Sequence, residues 1–199
     1  PISSGIATDG PKYNYFGFMR YMNQKLYTGG GQSSPEREAC IQILDGNDWE
    51  IYDDSFAASL KGNYRSTYCI DLDPSDPTHI YAGTQAGLFE FRNGKMTQHY
   101  SIDNAPFVTA SDTDPYSYTL ITTLKATTDG SLWCFNSNAK DGSVSLLQLK
   151  DGKWTSHHNT DFVDSKGASM RYARSMMTDS RGLLWFVNDE WRLPALVCY

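Results

Sequence analysis

The chain has 199 residues and can hold one sizeable core, since a chain of that length buries roughly 70% of the surface its unfolded form exposes. It carries 13 Tyr, 9 Phe and 5 Trp beside 16 Gly and 8 Pro, a composition that suits short strands and tight turns. The net charge of −6, with no run among the 17 basic residues, argues against nucleic acid as a partner, and no apolar stretch approaches the roughly 20 residues of a membrane span.

The start at Pro1 shows neither a signal peptide nor an initiator Met, so the sequence reads as a mature fragment of something longer. The first strand-like run, FGFMRYMNQ (residues 16–24), leads into Leu26-Tyr27. Then come ACIQIL (39–44), the turn of DGNDW (45–49) and DWEIY (48–52). Residues 56–61 are the best helix candidate and a short one, because no segment sustains a 3.6-residue apolar period.

The same order then repeats. TYCIDLDPSDPTH (67–79) precedes Ile80-Tyr81, followed by LFEF (88–91), an Asn-Gly turn and KMTQHY (95–100). LITTLKATTDGS (120–131) precedes Leu132-Trp133, followed by SLLQL (145–149), an Asp-Gly turn and KWTSH (153–157). RSMMTDSRG (174–182) precedes Leu184-Trp185 and ALVCY (195–199), with no further strand. The anchor aromatics Tyr27, Tyr81, Trp133 and Trp185 are spaced by 54, 52 and 52 residues.

Four short antiparallel strands per roughly 50 residues define a propeller blade. The reading is therefore an all-β chain of four blades, near 11–55, 64–103, 117–160 and 170–199, with the last incomplete. The anchors should occupy equivalent positions on the second strands. An end blade should expose Trp185, Phe186 and Val187 or their blade I counterparts, unless residues 1–7 close a four-bladed ring, a second copy covers them, or the chain belongs to a larger propeller.

Motifs of catalysis are absent from the sequence: it has no HExxH, GxSxG, Walker or Rossmann pattern. Cys40, Cys69, Cys134 and Cys198 have no zinc spacing and read as buried small hydrophobes, with one disulfide left open. Asp71/Asp73/Asp76, Asp112/Asp114 and Asp161/Asp164 lack a complete calcium loop and read as solvated turn carboxylates. His79, His99, His157 and His158 read as surface residues. No metal and no cofactor is expected.

One constellation stands out. The loops entering the innermost strands open on one face around a propeller's axis, and they hold Tyr13 and Tyr15; Tyr64, Arg65 and Tyr68; Tyr116 and Tyr118; and Arg171, Tyr172 and Arg174. Tyr and Arg bury area at little entropic cost and keep polar tips, which suits a partner-binding rim. Plugging the channel or padding the core is the alternative role for them.

Residues 73–95 (DPSDPTHIYAGTQAGLFEFRNGK), 127–138 (TTDGSLWCFNSN), DGKW and 178–186 (TDSRGLLWF) resemble the surface and periplasmic propellers of Bacteroidetes. DSRGLLW (179–185) fits the D-x-x-G-x-L-W hallmark of two-component regulator propeller repeats, and DGSLW (129–133) is a shortened form. GPKYN, KLYTGGG, GLFEF and LWCFNSNAKDG are similar to the PorZ-like proteins of the type nine secretion system. This resemblance implies a seven-bladed fold and a role beside a surface sortase that attaches cargo to anionic lipopolysaccharide. It implies a secreted, periplasmic or outer-membrane-surface binding module that takes a protein or glycan partner and is not an enzyme. The regulator resemblance implies instead a glycan-sensing ectodomain.

Overall fold

A computed structural model describes residues 10–140, 146–157, 162, 170–189 and 194–199. The first sheet, blade I, orders β1 (Phe18–Met22), β2 (Lys25–Gly29), β5 (Ile41–Asp45) and β6 (Asp48–Ile51) from inside to outside, with a small hairpin of β3 (Gln32–Ser33) and β4 (Glu36–Arg37) set between β2 and β5. Blade II comprises β7 (Thr67–Asp73), β8 (Asp76–Thr84), β9 (Gly87–Arg92) and β10 (Lys95–Tyr100). Blade III comprises β11 (Leu120–Ala126), β12 (Leu132–Ser137), β13 (Leu146–Lys150) and β14 (Lys153–Ser156). Blade IV has three strands, β15 (Ala173–Thr178), β16 (Leu184–Asn188) and β17 (Ala195–Cys198). The chain is thus a four-blade β-propeller with an incomplete last blade, as the repeat requires.

Turn chemistry sets the registers. Asn93-Gly94 and Asp151-Gly152 have positive φ at both residues, the pattern of the two-residue hairpin turn that matches strand twist. Asn23-Gln24 makes the same kind of turn without a glycine. The helix candidate is one 3₁₀ turn, Ser55–Ser59.

All four anchors lie on second strands at equivalent registers, with Arg20 opposite Tyr27, Asp71 opposite Tyr81, Lys125 opposite Trp133 and Met177 opposite Trp185. Directly paired residues share a face, so each anchor and its partner define the front of their blade. The residue before each anchor points to the back. Front faces pack on the back of the next blade. Tyr27 and Ile43 meet Ile70, Ile80, Phe89 and Phe91; Tyr81 and Leu88 meet Leu124, Leu132 and Leu147; Phe135 and Leu146 meet Met176, Leu184 and Phe186. Among the described residues no such core joins blade IV to blade I, so four blades share three inter-blade cores.

Two glycines explain the close approach of successive blades. Each stands two residues after an anchor. A Cβ on Gly29 would lie 2.6 Å from Thr67 Cγ2, and one on Gly83 would lie 2.5 Å from Ile121 O. Only a missing side chain lets the innermost strand of the next blade come that near.

Several expectations need correction. Phe186 is buried at 1% exposure against Phe135 and Phe162, because strand alternation turns it to the back while Trp185 and Val187 face forward. Cys40, Cys69 and Cys134 are buried but Cys198 is exposed; all four are free thiols.

His79 is buried, its ring nitrogens 3.1 Å from Asp73 Oδ2 and 3.3 Å from Glu90 Oε2. His99 is largely covered and stacks on Phe89 at 4.1 Å between centroids, and burial holds it below the ordinary histidine range. His157 is half-buried against Trp133. His158, Asp161 and Asp164 lie outside the described residues.

Asp71 is no turn carboxylate. It is buried on β7, accepts hydrogen bonds from Lys125 Nζ at 2.6 Å and the Ala126 amide at 3.0 Å, and pairs with Arg20 at 3.4 Å. The front-face partners of three anchors thereby form one ionic staple across the innermost strands of blades I, II and III. By contrast, Asp112 is an exposed carboxylate paired with Lys140.

Candidate functional site at the propeller axis

The innermost strands β1, β7, β11 and β15 surround an axial cavity of about 530 Å³. Its floor and walls come from strand positions: Phe18 and Arg20, Cys69 and Ile70, Thr122 to Leu124, and Ser175 with Met176. Thr122 is held in place by donating to Ala173 O at 2.6 Å, which ties β11 to β15.

The mouth is formed by the loops that enter those strands. Five of the ten expected rim residues line it: Tyr15, Tyr68, Arg171, Tyr172 and Arg174. Tyr15 lies under the guanidinium of Arg37 from the β3–β4 hairpin, 5.5 Å from the ring centroid. Burial, foremost, pushes the Tyr68 phenol up to about 12; the neighbouring Tyr172 and Tyr118 hydroxyls add to this and Arg174 opposes it. Tyr68 is therefore a neutral hydrogen-bonding phenol at any physiological pH. Tyr118 and Tyr172 are exposed, and Arg174 lies 3.6 Å from Asp189.

Four of the remaining rim candidates lie elsewhere. Tyr64 is 6% exposed and packs edge-on against Phe56 and Phe89 in the core between blades I and II. Arg65 pairs with Glu36 of the hairpin. Tyr116 donates to Asp103 at 3.0 Å and carries Lys61 over its ring. The Tyr13 backbone exchanges hydrogen bonds with the Gln42 side chain, and its hydroxyl donates to Glu38, on the back of blade I.

Arg20, Thr122 and the β3–β4 hairpin belong to the site and escaped the loop-based reading. Arg20 had a signal, its place opposite an anchor. Among the described residues there is no group of His, Cys, Asp and Glu able to hold a metal ion.

A propeller whose inner strands leave an axial cavity rimmed by Tyr and Arg is the architecture these observations define. No protein-family model matches the chain, and no curated protein matches it in sequence. In fold it is similar to PorZ, an essential bacterial surface component of the type-IX secretion system of Porphyromonas gingivalis, with a TM-score of 0.79 at 20% identity over 97% of this chain. The chain spans 26% of PorZ. Two further solved structures are similar. One, from Thermus thermophilus, is described as an oxidoreductase (glucose dehydrogenase), with a TM-score of 0.56 and 14% identity over 90% of this chain and 60% of that one. The other is the extracellular domain of a protein from B. thetaiotaomicron described as a hybrid two-component system, with a TM-score of 0.44 and 19% identity over 83% and 18% of the two chains.

Proposed function

We propose that the chain is a non-catalytic binding module of the bacterial periplasm or cell surface, related in role to PorZ, that holds a protein or glycan partner at the mouth of its axial cavity. The carrying observation is the convergence of Tyr15, Tyr68, Arg171, Tyr172 and Arg174 from three blades on one concave opening. Rigid aromatic faces and guanidinium forks on a β scaffold bind at little entropic cost.

The chemistry of the cavity supports binding over catalysis. Among its hydroxyls Thr122 is spent on a backbone carbonyl, the Cys69 thiol is pushed far up by burial, and among the described residues no histidine lines it to act as a base. A nucleophile without an adjacent base stays unactivated.

The tyrosine faces equally suit the rings of an oligosaccharide, which supports the glycan-sensing reading as the second one. A glycan microarray and a peptide array, each probed with the chain and with the Tyr172→Ala, Arg171→Glu double variant, test the proposal. We expect ligands in one array whose binding the double variant loses. Binding that survives the substitutions, or none in either array, refutes the proposal.

A further inference from the structure

The charges that face the axis do not balance. The chain carries 23 Asp and Glu against 17 Lys and Arg, yet among the described residues the lining of the axial cavity holds Arg20, Arg171 and Arg174 and no carboxylate. Within the ionic staple, two cations share one acid. Lys125 Nζ and the Ala126 amide donate to Asp71 Oδ2 at 2.6 and 3.0 Å, while Arg20 reaches Oδ1 at 3.4 Å, the longest contact of the three. Asp71 and Lys125 are set into the wall, whereas Arg20 is partly exposed and lines the cavity. The staple therefore carries one positive charge in excess, and the excess sits on the guanidinium that faces the opening. Arg174 pairs with Asp189 at 3.6 Å, both side chains being mostly exposed, so water screens that pair.

We infer that the cavity selects its ligand by an anionic oxygen group, a carboxylate or a phosphate, which Arg20 takes as its principal partner while Arg171 and Arg174 add attraction from the mouth. The inference rests on the reading of the cavity as the binding site and adds the chemistry of what enters it. A guanidinium is a planar fork of N–H donors that matches two oxygens of either group, and such charge-assisted bonds are roughly twice as strong as neutral ones. The long contact to Asp71 is the one the ligand replaces. Lys125 and the Ala126 amide keep the carboxylate, so the link between β7 and β11 stays shut when Arg20 turns to the anion. The phenols of Tyr15 and Tyr68 offer ring faces and neutral hydrogen bonds to the uncharged remainder. At about 530 Å³ the cavity lies within the roughly 300–1,000 Å³ of small-ligand sites, room for a charged group and the ring that bears it.

Calorimetric titration with galactose, galacturonate and galactose 1-phosphate separates charge from size. We expect both anions to bind about tenfold more tightly than galactose, with a preference that shrinks as ionic strength rises. The tighter of the two names the source of the charge, carboxylate or phosphate. Arg20→Gln should reduce the preference about tenfold. Arg92→Gln, which removes a guanidinium paired with Asp76 outside the cavity lining, should keep it. A thermal measurement gives a sign that a merely structural Arg20 would not. In Asp71→Asn the two cations lose their shared carboxylate, so the preferred anion should raise the Tm of this variant more than that of the parent, each against sodium chloride of equal ionic strength. Galactose bound as tightly as its anions, none of the three probes bound, a preference indifferent to Arg20→Gln, or equal Tm shifts in the two proteins overturns the inference. Neutral array ligands whose binding ignores Arg20→Gln overturn it too and leave the binding module standing, whereas empty arrays remove the module itself.

Discussion

Replacing Asp71 by Asn keeps its volume and removes its charge. Asp71 is 4% exposed at its side chain and Lys125 is 18% exposed, so the ammonium would be left nearly buried without its counter-charge. Breaking a buried pair from one side costs about 3–5 kcal/mol. Arg20, at 38%, can turn to water, which puts the expected loss near the low end, about 3 kcal/mol. For a chain of this size that is a fall of about 6–12 °C in Tm. Asp71→Leu combined with Lys125→Met removes both charges and should cost less than Asp71→Leu alone, since an apolar pair replaces a desolvated ionic one and the loss that remains is that of the Ala126 amide left without its acceptor. Urea unfolding of the two single variants and the double variant closes the cycle. Asp71→Asn within about 1 kcal/mol of the parent, or a double variant as unstable as the single, would refute the assignment of Asp71 as the centre of the staple.

Other predictions follow from local geometry. Gly83→Ala should cost several times more than Gly130→Ala in denaturant melts, because the new Cβ meets Ile121 O at 2.5 Å in the first case and nothing within 4 Å in the second; equal losses would contradict the close-approach role. Asp179 accepts hydrogen bonds from the Arg181 guanidinium, the Trp185 indole and two backbone amides, and these hold its carboxyl well below the usual range. Its contribution to stability is thus full above the ordinary carboxylate pKa and fades as pH falls through the lower folded value. Melts of the parent and Asp179→Asn should differ at neutral pH and converge in strong acid, and a gap that widened in acid would reverse the sign. Burial pushes the Cys40 thiol up to about 11 and those of Cys69 and Cys134 further, so in dilute native protein a thiol reagent should modify Cys198 alone, with all four reacting in denaturant.

The architecture was legible because the anchors recur at constant spacing; the glycines two residues after the anchors of blades I and II, which give the next blade room, went unread. The D-x-x-G-x-L-W hallmark was legible for a reason the structure supplies. The Asp179 carboxylate caps its turn through the amides of Arg181 and Leu183 and pins the indole of Trp185. What could not be read is side-chain direction where the repeat does not speak. Asp71 sits two residues before Asp73 in an acidic run, yet its place in mid-strand opposite Tyr81 sets it against Lys125, 54 residues away, while Asp73 falls past a register shift at the turn. Tyr64 and Tyr68 are four residues apart in one loop and strand, and one fills a core while the other lines a mouth. Sequence proximity carries no information on that choice. Among the described residues the β3–β4 hairpin occurs in blade I alone, so no repeat could announce it.

The three cores also determine how the propeller comes apart. Among the described residues blades II and III are each clamped by two neighbours and blades I and IV by one, so stability adds along the chain much as in a solenoid. Amide exchange should run as a gradient, slowest in β8, β9, β12 and β13 and fastest at blade IV, whose three strands rest on one contact. Opening blade IV first would unfasten β15 from the axial cavity while the ionic staple of blades I to III stays shut. The rim carrying Arg171, Tyr172 and Arg174 is then the part of the site with the shortest lifetime, and whatever covers that end blade sets how long the mouth keeps its shape.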